Sequence, residues 1–356
     1  KKMLEIVKDE LRDIRERFGD ERRTKIVQTG LKDFNPEDLI DEKEAVLVYT
    51  KGGYIKRTDP EEFRLQRRGG VGVLDLDTKE EDFVSMTITG STHADILFFT
   101  DKGRVYQSKM YDIPEGKRAT RGKNIINFLQ LTEGEKISSI LEVPKTEKVK
   151  KGETTTTSVM MITKNGIAKK CAVSVFSDVR RTGIIAISLD EGDELITTLI
   201  TKAEDSVILT SREGQSIRFF EKDIRQMGRS AAGVTAMKLG KKNDNIVGGD
   251  VITADEVCKL LVLTERGYGK MTDIDEYKIQ KRAGSGIKTI KITDKTGKLV
   301  SAKIVRDTDT EILAISKNSI VIKTELKAIP TLSRDTQGVR VMSPRDGDMV
   351  ASLNVL

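Results

Sequence analysis

From about Val46 onward, short apolar runs recur, each ending in Thr or Ser and followed at once by a turn. The runs are VLVYTKGG, ILFFTDKG, VMMITKNG, VILTSREG, LLVLTERG and ILAISKNS, with the turn position at Gly53, Gly103, Gly166, Gly214, Gly267 and Ser319. A second strand follows directly (YIKR, RVYQS, IAKKC, QSIRF, YGKMT, IVIKT). A polar loop then closes on a basic residue and a glycine at Gly70, Gly122, Gly183, Gly233, Gly286 and Gly338, 17 or 19 residues past the turn position in every copy. A third strand (GVLDL, IINFLQL, IIAISL, VTAMKL, IKTIKI, VRVMS) and a turn such as EGDE or DGD lead to a fourth, for example LITTLI or MVASLNV. Alternation in IKTIKI and VRVMS fits strands with one wetter face.

Copies of about 52 residues therefore account for residues 47–356. A four-stranded unit at this period predicts an all-β, propeller-like ring of six blades, each sheet burying its faces against its neighbours. The turn glycines supply the positive φ of tight hairpins. The spacing from the second copy to the third is stretched by the polar segment Lys145–Ser158, which reads as a solvated insertion.

The first eighteen residues follow another rhythm. Leu4, Val7, Leu11, Ile14 and Phe18 alternate at spacings of three and four, the seam of a coiled coil, and Gly19 stands where a helix would end. So short a heptad run is marginal alone, and it reads as the end of a longer helical hairpin. Residues 1–24 are thus expected to be a helix end and linker, and residues 25–356 the ring.

Composition narrows the chemistry. One histidine, His93, leaves little from which to build a triad or a multi-histidine metal site, and it reads as an exposed loop residue. Cys171 and Cys258 are too few for a disulfide framework or a zinc site and read as small core or edge residues in a reducing cytoplasm. Asp75 and Asp77 share a strand face and read as solvated rather than metal-ligating, and no GxxxxGK[ST] loop occurs. No segment has the length and apolarity of a membrane span or signal peptide. No cofactor or metal is expected in this chain. Lys and Arg number 62 against 56 Asp and Glu, a modest +6. That excess carries weight only when concentrated on one surface, where it favours a polyanionic partner.

The polar loops concentrate it. The first holds Gln66, Arg67, Arg68, Gly69, Gly70, Val71 and Gly72; the second Lys117, Arg118, Arg121 and Lys123; the third Arg180 and Arg181. The fourth holds Arg225 and Arg229, the fifth Lys281 and Arg282, and the sixth Arg334. Guanidiniums present planar, permanently charged forks to phosphate oxygens, and glycines let backbone N–H groups approach them. A cation at one angular position in every blade predicts a positive rim.

On these residues the chain resembles the C-terminal, DNA-wrapping domains of the gyrase A family, within the type IIA topoisomerases. The resemblance runs through FGDERRT (Phe18–Thr24), GGYIKR (Gly52–Arg57), FFTDKGRVY (Phe98–Tyr106) and the signature Q-R-R-G-G-K/R-G. Gln66–Gly72 matches that signature at all positions but Val71, where the family has a cation. The resemblance implies a six-bladed β-pinwheel, whose blades exchange strands, preceded by a short coiled-coil helix. It implies a non-catalytic domain of DNA gyrase that wraps double-stranded DNA on its basic rim and biases strand passage toward negative supercoiling. The heptapeptide would fasten the first blade to the last. The catalytic tyrosine, the ATP site and its Mg²⁺ would lie elsewhere in an A2B2 assembly of gyrase A and gyrase B. The isolated domain would be monomeric.

Physical magnitudes agree with that expectation. Bending duplex DNA through a half turn over about 100 Å costs roughly 15 kcal/mol at a persistence length of about 50 nm. At on the order of 1 kcal/mol per phosphate contact, about fifteen contacts are needed, which one heptapeptide cannot make and two or three cations on each of six blades can. Few aromatics argue against single-strand stacking platforms. The alternatives are the equivalent domain of topoisomerase IV, which usually has a degraded heptapeptide; a protein-binding propeller, with an apolar or mixed-charge rim; and a propeller enzyme.

Overall fold

A computed structural model describes residues 2–20, 24, 36–60, 82, 84–117, 120–143, 157–177, 179, 181–240, 243–318 and 320–355. The chain divides into two compact units, Lys1–Asp41 and Glu42–Leu356. The expected boundary at residue 24 falls in a stretch mostly outside the described residues. In the first unit a helix spans Lys2–Phe18 with the stripe Leu4, Val7, Leu11, Ile14 and Phe18 exposed. Its last turn is closed by the Gly19 N–H donating to the Arg15 carbonyl at 2.9 Å, and Gly19 is not left-handed.

The second unit is the expected ring of small antiparallel sheets. The first blade orders Val84–Ser91, Glu44–Thr50, Tyr54–Thr58 and then Lys123–Asn124, a strand that belongs to the second repeat. The same exchange recurs down the chain. Ile184–Ile185 of the third repeat completes the second blade on Arg104–Lys109, and Val234–Thr235 of the fourth completes the third blade on Ile167–Ala172. Ile287–Lys288 completes the fourth blade on Gln215–Phe220, and Val339–Arg340 the fifth on Tyr268–Asp273. The sixth blade shows three strands among the described residues, Val321–Glu325, Glu311–Ser316 and Val350–Val355. The first repeat's GVLDL stretch, with Asp75 and Asp77, lies outside the described residues.

These exchanged strands correct the expectation of a long third strand. Among the described residues only two per copy pair, and in the second repeat the chain turns at once into a 3-10 helix at Ile125–Asn127, so the alternation of IKTIKI is not that of a regular strand. Reaching the previous blade takes the chain away from its own sheet, which leaves no partner for a longer ladder. The polar segment Lys145–Ser158 is described only from Thr157, where the strand Thr157–Thr163 begins.

Burial explains why the first strand of each repeat is an unbroken apolar run. Alternate residues point to opposite blades: Ile96 and Phe98 pack with Leu47, Tyr49 and Ile55, while Leu97 and Phe99 pack with Val159, Met161 and Phe176. The cores thus lie between blades rather than within them, and Cys171 and Cys258 are buried in two of them. Adjacent inner strands, from Val84–Ser91 through Val350–Val355, pack against one another in succession. The exchanged strands form the opposite, outer edge of the first five sheets.

Candidate nucleic-acid interface

Among the described residues, four polar loops dock on the second strand of the preceding repeat at one register. The residue seven before the loop glycine forms a parallel bridge to the residue four past the turn position: Glu115 with Arg57, Gln226 with Lys170, Ile279 with Arg218 and Thr331 with Met271. Backbone hydrogen bonds fix the bridge, such as Arg57 N to Pro114 O at 2.9 Å and Gln280 N to Arg218 O at 2.7 Å. In the second blade a side chain substitutes: Gln107 Oε1 accepts from the Val179 N–H at 3.2 Å.

The loop glycine closes the approach in the left-handed region. Gly122 has φ of 84°, and a Cβ there would sit 2.5 Å from the Ile55 carbonyl oxygen. The four loops bridged in this way lead straight into the outer strand, so their cations occupy equivalent places at the outer edge. Gln66, Arg67, Arg68, Gly69, Gly70, Gly72, Arg118 and Arg180 lie outside the described residues, so the first loop and part of the second and third are not placed.

The remaining cations divide into two groups. Lys117, Lys123, Arg225, Arg229 and Lys281 are exposed, and their side chains have no ion-pair partner among the described residues. Their charge faces solvent. The others reach back to the preceding repeat. Arg181 pairs with Asp112 at 2.7 Å, and Arg334 lies 3.7 Å from Glu276 while donating to the Lys288 carbonyl at 3.1 Å. Arg282 donates to the carbonyls of Asp223 and Thr235, both at 3.0 Å. Asp112, Asp223 and Glu276 all end the 3-10 turn that follows the second strand. Arg121 sits 3.7 Å over the Tyr54 ring and 3.6 Å from Asp82. The loop cations therefore include blade-to-blade clamps as well as free charge, a division the residue types alone did not reveal.

Two cations on the exchanged strands escaped the sequence reading. Lys288 and Arg340 each stand two residues past a loop glycine and are exposed on the outer strand. Arg340 donates to the Tyr268 hydroxyl at 3.1 Å, and that hydrogen bond holds the phenol below its usual range. The recurring Gly-Ile-Lys and Gly-Val-Arg were the available signal. His93, expected in an exposed loop, is half-buried with its ring edge-on to Tyr111 at 6.3 Å. Among the described residues no cluster of His, Cys, Asp and Glu could hold a metal, and no helix is long and apolar enough to cross a membrane.

Blades sharing outer strands around a ring, with loops repeated in register on the outer edge, define the β-pinwheel variety of propeller. The chain belongs to the family described as DNA gyrase C-terminal domain, beta-propeller, which it matches over residues 44–88, 94–144, 157–202, 205–253, 259–306 and 310–356, one segment per repeat. The gyrase A protein of Staphylococcus epidermidis (strain ATCC 12228 / FDA PCI 1200) is 39% identical over 351 residues, covering 99% of this chain and 38% of that protein. Its counterpart in Staphylococcus aureus (strain NCTC 8325 / PS 47) is also 39% identical, over 99% of this chain and 39% of that protein. The chain thus spans well under half the length of these curated relatives. A solved DNA gyrase A C-terminal domain superposes with a TM-score of 0.69 at 27% identity, covering 88% of this chain and 100% of that one. The C-terminal domain of a DNA topoisomerase IV superposes at 0.72 with 22% identity, covering 89% and 94%, a likeness of fold.

Proposed function

We propose that this chain binds double-stranded DNA along the outer edge of the ring and wraps it, as the non-catalytic C-terminal domain of a gyrase A protein. In the whole enzyme, an A2B2 assembly in the bacterial cytoplasm, the bent segment would be presented for strand passage toward negative supercoiling. ATP and Mg²⁺ would be used by other parts of that enzyme. The observation that carries the reading is the common register of the loops, which sets cations at equivalent points of successive blades. A curved polyanion meets such a series at intervals, so many weak phosphate contacts act together against duplex stiffness. The exposed Lys117, Lys123, Arg225, Arg229 and Lys281 are the phosphate ligands in this reading, with Arg121, Arg181, Arg282 and Arg334 sharing their charge between clamp and ligand. Gln66–Gly72 would fasten the first blade to the last, and its near-complete signature favours gyrase over topoisomerase IV.

The test is to seal nicked circular plasmid with the purified chain bound and separate the topoisomers. A shift in linking number that grows with protein is the expected result, and replacing Gln66–Gly72 by alanines should abolish it. An unshifted distribution with the intact chain would reject wrapping.

A further inference from the structure

Beneath three of the outer-edge loops lies a buried ammonium. The residue three past the turn position is Lys56 in the first repeat, Lys169 in the third and Lys270 in the fifth, at 2%, 0% and 0% exposure. In the second, fourth and sixth repeats the same position holds Tyr106, Ile217 and Ile322. Full burial of a lysine is rare and calls for compensating partners.

Each of the three points its Nζ at backbone carbonyls of the next repeat's loop, four or five residues before the loop glycine. Lys56 donates to Lys117 O at 3.1 Å. Lys169 donates to Arg229 O and, at 2.6 Å, to Ala186 O of its own repeat. Lys270 donates to Ser333 O, to Arg334 O at 2.7 Å and to Thr336 Oγ1 at 3.1 Å. The carbonyls held in this way include those of Lys117, Arg229 and Arg334, cations already placed at the interface. Neither Lys169 nor Lys270 has an ion-pair partner among the described residues, so the charge is met by carbonyl dipoles instead. A peptide unit is planar, so a carbonyl turned inward turns the amide N–H of the following residue the other way. That leaves the Ser230 and Asp335 N–H groups, on the units anchored by Lys169 and Lys270, directed away from the core.

We propose that Lys56, Lys169 and Lys270 are positioning residues of the DNA-binding loops, each holding the following repeat's loop by its backbone so that side-chain cations and outward amides meet phosphate. This rests on the DNA-wrapping reading for its consequence, although the hold on the loop is independent of DNA. The alternate spacing gives this hold to the loops ending at Gly122, Gly233 and Gly338. The two between them are held otherwise: the loop ending at Gly183 by Arg104, which donates to Thr182 O at 3.0 Å, and the loop ending at Gly286 by its own Arg282, which donates to the Asp223 and Thr235 carbonyls.

The ammonium can be switched off without a mutation. Burial lowers Lys270 to about 8, against the nearby Glu276 and Asp335 carboxylates, which favour the charged form, and Arg334, which opposes it. Lys169 is lowered by burial too, beside Cys171 and Arg229. The charge is present at neutral pH and leaves as pH rises.

The experiment measures, on the whole chain, amide exchange in the 333–338 loop without DNA and affinity for a mixed-sequence linear duplex, from about pH 7 to about pH 9. Exchange is corrected for its intrinsic pH dependence. For wild type, protection of the loop and duplex affinity should fall together and reversibly across that interval. Lys270→Met should show the unprotected loop already at neutral pH, with no further pH response of that loop's exchange, and an affinity about fivefold to tenfold weaker, as for one or two lost phosphate contacts. Lys270→Met with wild-type protection and affinity, or a pH-dependent loss of 333–338 protection that survives in it, would overturn the proposal. Should Lys270→Met fold poorly, the wild-type titration decides: loop protection unchanged across the interval overturns it. If wild type fails to bind duplex at any pH, the wrapping reading fails while the exchange result still judges the lysines.

Discussion

Arg282 Nε donates to the backbone carbonyl of Asp223 at 3.0 Å, which ties the loop of the fifth repeat to the turn of the fourth. Its neighbour Lys281 is exposed with no side-chain partner among the described residues. Two adjacent cations in one loop thus have opposite duties, one holding blades together and the other offering charge to solvent.

Substituting them singly should separate the duties. Arg282→Ala removes two hydrogen bonds from a charged donor and is expected to lower stability by about 1–2 kcal/mol. Lys281→Ala should leave stability within about 0.5 kcal/mol, as for an unpartnered surface residue, and weaken duplex binding. Urea unfolding and duplex titration on both variants check the split. Equal effects of the two substitutions on stability would show that the clamp is not real.

Salt dependence tests the many-contact reading. With six to ten phosphates engaged, duplex affinity should fall about 10³–10⁵-fold between 50 and 200 mM salt. Reversing Arg121 and Lys123 to Glu should weaken binding uniformly across sequences and lower the salt slope, because contacts to phosphate carry no base information. Arg121 also stacks on Tyr54, so its reversal is expected to cost some stability in addition. A sequence-selective defect would contradict the reading.

The repeat was legible because each copy spells the same physical problem. An apolar run buried on both faces, a glycine turn and a loop glycine recur at fixed offsets, so Phe98 and Phe99 could be read as core from the pattern alone. Strand exchange was not legible from periodicity, since Lys123–Asn124 looks the same whether it pairs at home or on the previous blade; only the family resemblance supplied it. The loop cations were found by type, yet the partition of Lys281 from Arg282 depends on which side chain reaches the Asp223 turn, a tertiary matter. Lys56, Lys169 and Lys270 were visible as GGYIK, GIAK and GYGK. Nothing in those letters separates a solvated lysine from a buried one; only the packing of the next repeat's loop over the strand does.

Gly122 offers a backbone test. At φ of 84°, with a Cβ destined 2.5 Å from the Ile55 carbonyl oxygen, alanine has neither a favoured conformation nor room. Gly122→Ala should destabilise by about 2–3 kcal/mol, from left-handed strain together with displacement of the loop. Gly134 is also left-handed, at φ of 75°, but a Cβ there meets nothing within 4 Å. Gly134→Ala should therefore cost only the conformational part, about 1 kcal/mol. Denaturation midpoints of the two variants give the comparison, and a Gly122→Ala no worse than Gly134→Ala would mean the loop is not seated against Ile55.

The fifth blade carries a pH-dependent contact distinct from the lysines. Glu256 is partly buried, which alone would raise its pKa. Hydrogen bonds from Thr253 and the Arg306 guanidinium, 2.6 Å away, outweigh burial and hold the carboxyl below its ordinary 4.5. A carboxyl depressed in the folded state binds fewer protons there than in the unfolded chain, so stability rises with pH through that interval. Its contribution is complete above about 4.5 and is lost as pH falls through the folded value. Arg306 is more than a third exposed, so solvent screening limits the pair to about 1 kcal/mol. Glu256→Gln keeps an acceptor for the Thr253 N–H while removing the charge. Its stability should lie about 1 kcal/mol below wild type at neutral pH, and the two should converge as pH drops below the carboxylate range. A gap that stays constant down to acid would assign the effect to packing rather than to the ion pair.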